Sequence, residues 1–142
     1  MDRTHDDGAL SDLLSSPRRI AMVGASPKED RDSNRVFRFL LEEGHDVLPV
    51  NPVVPEVAGV ACVPDLQAAV DYWGAPPDVV DVFRAPDAVP AIVEETLRIG
   101  APWLWLQFGV VHEAGIQAAL DRGLEVVVDR CIKVETKRLQ AP

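Results

Sequence analysis

Basic charge is scarce in this sequence: 14 Lys and Arg stand against 23 Asp and Glu over 142 residues, a formal net charge of −9. A protein that grips nucleic acid through a broad face does so with clustered basic side chains, so this balance argues against nucleic acid as a partner. It leaves room for a small anionic ligand, which responds to local donors rather than to the total. Cysteine is nearly absent too. Cys62 and Cys131 lie far apart, without CxxC or Cys/His spacing, and the simplest reading is a reduced cytoplasmic setting with no zinc site. No apolar run is long enough to cross a bilayer, and Met1 to Gly8 has no signal-like apolar core, so a soluble protein without membrane contact is expected. Aromatic residues make up only 6%, and the core must come mainly from Val, Leu, Ala and Ile.

What the chain does hold is a regular alternation. Ile20 to Val23, Asp46 to Val50, Val79 to Phe83, Trp103 to Leu106 and Leu124 to Val128 are apolar runs of strand length. Helical spacing separates most of them: Val36, Phe37, Leu40 and Leu41 before Gly44, then Asp65 to Val70 behind a capping Asp65. Val89, Ile92, Val93, Thr96 and Leu97 follow before Gly100, and Glu113 to Arg122 ends at Gly123. Pro49 removes one ladder donor from the second run and marks a place where that N–H is not needed. Val53 to Val63 reads as an irregular excursion with one edge strand. Residues 1–18 read as a polar tail and a short helix, Ala9 to Ser16, with Leu10, Leu13 and Leu14 on one face. A charged tail is expected after Cys131.

Strands alternating with helices mean βαβ units with right-handed crossovers. The expectation over residues 19–139 is an α/β, Rossmann-like, doubly wound three-layer sandwich. Its five-stranded, mainly parallel sheet would run in the order 3-2-1-4-5. One domain of this length buries about two-thirds of its unfolded surface.

In such a sheet the ligand crevice lies outside the carboxyl ends of the strands, where strand order reverses. The first strand is followed by Gly24, Ala25 and Ser26, then a polar loop and a helix start through Ser33, Asn34 and Arg35. That unit suits phosphate, because the first N–H groups of a helix are unpaired and carry the positive end of its dipole. Small residues let an anion approach the backbone. Ser26, Ser33 and backbone amides are better candidates than Lys28, Arg31 and Arg35, which are interleaved with Glu29, Asp30 and Asp32. The other strands end at Asn51 and Pro52, at Arg84, at Gln107, Phe108 and Gly109, and at Asp129, Arg130 and Cys131. A guanidinium at Arg84 can pair with phosphate, and Gln107 can both donate and accept.

Several chemistries are missing. The first loop is not GxGxxG and no acidic residue ends the second strand, which weighs against a nicotinamide-dependent dehydrogenase. A nucleophile elbow would need a further glycine, and no Walker lysine follows the loop. His45 reads as a solvated turn residue and His112 as a helix cap. No carboxylate pair or nucleophile–base couple stands out. Cys131 is the one reactive group on the inferred rim, as apolar filler or as a partner for a ligand thiol.

Taken in order, Ile20 to Ser26, Val47 to Pro52, Val79 to Arg84, Trp105 to Gly109 and Val128 to Cys131 resemble the stand-alone CoA-binding domain proteins. These are similar in fold to the CoA-binding domain of the succinyl-CoA synthetase alpha subunit and of ADP-forming acyl-CoA synthetases. The resemblance implies that Gly24, Ala25 and Ser26 meet the CoA phosphates and that Asn51 and Pro52 lie by the nucleotide. It sets Phe83 and Arg84 along the adenosine and pyrophosphate, Gln107 and Gly109 on the far wall, and Cys131 near the site. The first loop lacks the synthetases' additional glycines. The second domain that carries their phosphorylated histidine is not expected here, so the implied role is binding, carrying or regulation with coenzyme A or an acyl-CoA, without acyl transfer. A nicotinamide-binding oxidoreductase and an interaction subunit with a vestigial pocket are the alternatives.

Overall fold

The computed structural model of the chain describes residues 5–141. Its strands are β1 (Arg19–Val23), β2 (Asp46–Val50), β3 (Glu56–Val57), β4 (Val60–Ala61), β5 (Val79–Val82), β6 (Trp103–Leu106) and β7 (Glu125–Val128). The helices are α1 (Asp7–Leu14), α2 (Asp32–Glu42), α3 (Leu66–Trp73), α4 (Val89–Ile99), α5 (Glu113–Asp121) and α6 (Ile132–Gln140). β3 and β4 form a small antiparallel hairpin, and the other five strands form one parallel sheet. Successive strand residues point to opposite faces. Val79 and Trp105 therefore meet Leu10, Phe37 and Ile132 under α1, α2 and α6, while Val80, Val82 and Leu104 meet Leu66, Ile92 and Ile116 under α3, α4 and α5. The expected α/β three-layer sandwich is what forms.

Strand order differs from the expectation. The sheet runs β2-β1-β5-β6-β7, so the five main runs lie in the order 2-1-3-4-5 rather than 3-2-1-4-5. Pro49 supplies the reason. Its carbonyl faces away from β1 and accepts from the Val63 N–H at 3.0 Å, while the Asn51 N–H donates to Val63 O at 2.9 Å. With no N–H at Pro49, that edge supports one isolated bridge, Val50 to Val63, and no further strand. β5 instead lies between β1 and β6 and is buried at every position. The reversal of strand order then falls between β1 and β5, and the chain leaving β5 faces the chain leaving β1 across the crevice.

The helices differ in places too: α1 spans Asp7–Leu14 rather than Ala9 to Ser16. α2 begins at Asp32, three residues before Arg35. The stretch after Cys131, expected as a charged tail, is α6, whose Ile132 and Thr136 are buried on one face. Charge on the other face hid that pattern: Arg138 leaves α6 to pair with Asp7 of α1 at 2.9 Å. Leu10, Leu13 and Leu14 of α1 are all buried, as their spacing predicts. Burial of each stabilises the fold by about 2 kcal/mol.

Candidate functional site

The loop after β1 is shaped from within. Gly24 has φ +86°, and a Cβ built on it would lie 2.2 Å from the Phe83 carbonyl oxygen, so no side chain fits where β1 and β5 end together. Ala25 is buried beside it. Two asparagines brace the turn: Asn51 Nδ2 donates to Ala25 O at 2.9 Å, and Asn34 Nδ2 donates to Ser26 O at 2.9 Å. Asn51 Oδ1 also accepts from the Val53 N–H at 2.8 Å, and Asn34 Oδ1 accepts from Arg38 Nε at 2.8 Å. Ser26 Oγ accepts from the Lys28 N–H at 3.2 Å. Among the described residues no side chain caps α2, whose N-cap position is Arg31; the Asn34 N–H donates to Arg31 O at 3.1 Å, and the N–H groups of Asp32 and Ser33, on the wall of the crevice, are left without a capping acceptor.

Two adjoining cavities fill the rim. The larger, about 650 Å³, is lined by Gly24, Ala25, Ser26, Ser33, Asn51 and Arg84 among others. The smaller, about 340 Å³, has Arg35, Val36, Gln107, Cys131, Lys133 and Val134 on its walls. Asp32, Phe83 and Phe108 belong to both, and Phe108 stands 64% exposed between them. Pro52 instead lines a third, small cavity with Val23 and Asp65, which meets the larger one at Arg84. Asn34 and Gly109 line neither of the two: Asn34 is spent on the loop, and the Gly109 N–H donates to Asp129 Oδ1 at 2.8 Å. Asp129 takes a left-handed backbone, φ +57°, to make that bond between the last two strand-end loops.

The basic side chains differ in freedom. Arg35 is held by Asp30 O at 2.9 Å and by the Asp32 carboxylate. Arg84 is exposed on the wall of the larger cavity and has no hydrogen-bond or ion-pair partner among the described residues. Cys131 sits half-buried at the N-cap of α6, without a capping bond.

Gln107 is 2% exposed, and its Nε2 donates to Asp81 Oδ1. Asp81, the lone charge in the run Val79 to Val82, is fully buried between Met22 and Trp105, its neighbours across β1 and β6. Burial pushes its carboxyl up to about 7, and the Gln107 hydrogen bond only partly opposes this. Sequence reasoning passed over Asp81. The signal was there: an acidic residue in a wholly apolar strand.

His112 caps α5, its Nδ1 accepting from the Gly115 N–H at 2.9 Å. His45 is not a solvated turn residue. It is buried, its Nδ1 accepts from the Arg18 N–H at 3.0 Å, and burial holds its ring below the usual histidine range. Among the described residues no cluster of three metal-ligating side chains occurs, and no helix is long and apolar enough to cross a membrane.

The geometry has close relatives. A Bacillus subtilis protein, the uncharacterized protein YneT, is 38% identical over 125 residues, covering 88% of this chain and 90% of that one. A solved hypothetical protein from Pyrococcus horikoshii superposes with a TM-score of 0.85 at 34% identity, covering 98% of this chain and 95% of that one. An ADP-forming acetate–CoA ligase of Archaeoglobus fulgidus is 30% identical over 118 residues, which span 82% of this chain and 17% of the ligase. The family model described as a CoA binding domain matches residues 18–137, nearly the whole chain, and the protein therefore belongs to the CoA binding domain family.

Proposed function

We propose that the chain binds coenzyme A or an acyl-CoA across the two adjoining cavities, as a cytoplasmic binding, carrier or regulatory module that performs no acyl transfer of its own. The observation that carries this reading is that the unpartnered Arg84 and the uncapped start of α2 line the same, larger cavity. A guanidinium and the first N–H groups of a helix, lining one cavity, suit a pyrophosphate between them. The loop of Gly24, Ala25 and Ser26 leaves room for it, and Phe83 offers a ring to the adenosine. The pantetheine arm then runs into the smaller, mostly apolar cavity toward Gln107 and Cys131.

Titration calorimetry of the reduced, ligand-stripped protein tests the reading, with NAD as parallel titrant. CoA binds and NAD does not, and Arg84→Ala weakens CoA about tenfold or more, the worth of a charge-assisted hydrogen bond. Binding of NAD without CoA, or an Arg84→Ala variant that binds as tightly as the parent, would sink it.

A further inference from the structure

Two buried oxygens of the Gln107–Asp81 pair have no partner among the described residues: Asp81 Oδ2 and Gln107 Oε1. Both are acceptors when Asp81 is ionised, and they belong to the two side chains that already share one hydrogen bond. A carboxylic acid and a primary amide close a ring of two hydrogen bonds, amide N–H to acid carbonyl and acid O–H to amide carbonyl. One proton on Oδ2 would satisfy both unpartnered atoms, whereas an ionised carboxylate in this apolar layer keeps both unmet.

We propose that Asp81 is carried as a neutral carboxylic acid paired with Gln107 through two hydrogen bonds, and that it acts as a positioning residue which fixes the Gln107 amide at the wall of the smaller cavity until its proton is lost to solvent. Burial between Met22 and Trp105 favours the neutral form, and the upward displacement of its carboxyl agrees with it. No other charge does this work. The charged residues of the helices over this face, Asp7 and Asp12 on α1, Asp32, Arg35, Arg38 and Glu42 on α2, and Lys133, Glu135, Lys137 and Arg138 on α6, make no bond to Asp81, and none contributes to its displacement. The titratable groups on the wall that Gln107 shares are Asp32, Arg35, Lys133 and the Cys131 thiol at the start of α6. Deprotonation turns the Gln107 Oε1 and Asp81 Oδ2 into two facing acceptors. The amide must then rotate or withdraw, and the cavity wall changes with it.

The positioning role rests on the CoA reading above; the acid–amide pair does not. Carbon-13 NMR titration of the Asp81 carboxyl in the ligand-free protein tests the pair directly. A midpoint near 7 is expected, and a midpoint near 4 overturns the proposal. CoA affinity against pH tests the positioning. With a midpoint near 7 the neutral fraction falls from about 0.9 at pH 6 to about 0.03 at pH 8.5, so affinity drops by up to about thirtyfold. Asp81→Asn supplies a carboxamide that mimics the neutral acid at every pH, and its profile lacks that drop after the ligand's own titrations are matched. Parallel profiles in the two proteins overturn the positioning role. If CoA fails to bind at all, the functional reading falls and the positioning role with it, while the carboxyl titration still decides the pair.

Discussion

At the scale of single residues, Asp81 makes a stability prediction that needs no ligand. Its carboxyl titrates near 7 in the folded chain against an ordinary value of 3.8, so between those pH values the folded state holds a proton that the unfolded state has released. Stability from this group is therefore fully present below about pH 4, declines as pH rises to about 7, and is level beyond. The full span is at most about 4 kcal/mol, from about 3 pKa units at 1.36 kcal/mol each. Asp81→Asn removes the slope. Urea unfolding at pH 5 and pH 8 should show the parent losing stability across that interval relative to the variant; equal losses would mean that Asp81 is ionised throughout. Gly24 is a residue whose importance was legible but whose reason was not. Its place after a strand suggested room for an anion, whereas the nearer cause is the Phe83 carbonyl 2.2 Å from where a Cβ would be. That contact joins residues about sixty apart, and local sequence does not encode it.

At the scale of elements, the loop after β1 depends on side chains from two others. Asn51, at the end of β2, holds Ala25 O and turns its own chain at Val53. Asn51→Ala breaks these bonds, together with the 3.3 Å bond that its Oδ1 accepts from the Val54 N–H, and exposes the loop carbonyl. It should cost about 1–2 kcal/mol in unfolding free energy and weaken CoA severalfold by loosening the wall, without touching Arg84. Unfolding and calorimetry on the same variant separate the two effects, and unchanged affinity would mean that the loop keeps its shape without the brace. Local signals placed most elements: Asp65 caps α3 from its own N-cap position, accepting from the Ala68 N–H at 2.8 Å, and Gly100 ends α4 in a left-handed conformation. Strand order was a different matter. Pro49 stated that one edge of β2 carries no ladder, but only the pairing of β5 with β1 says which strand takes the far side of β1. α6 escaped because its buried stripe is narrow and four charged residues, Lys133, Glu135, Lys137 and Arg138, break it up in sequence.

At the scale of the whole molecule, two fields of opposite sign meet a polyanionic ligand. The chain carries −9 overall, while Lys28, Arg31 and Arg84 line the larger cavity with Asp32 among them. The first field acts over tens of ångströms at low ionic strength, and the second acts at contact. The Debye length shrinks from about 30 Å at 0.01 M salt to about 8 Å at 0.15 M. Added salt therefore removes the long-range repulsion first, and much less of the attraction felt within a few ångströms. Stopped-flow measurements should find that the association rate of CoA rises with salt over this range, opposite to a ligand steered by a basic face. The dissociation rate should rise as well, and by less in Arg84→Ala, where one contact cation is gone. An association rate that falls steeply with salt would mean that the cavity's own cations govern the approach, and that the net charge of the chain does not reach the ligand.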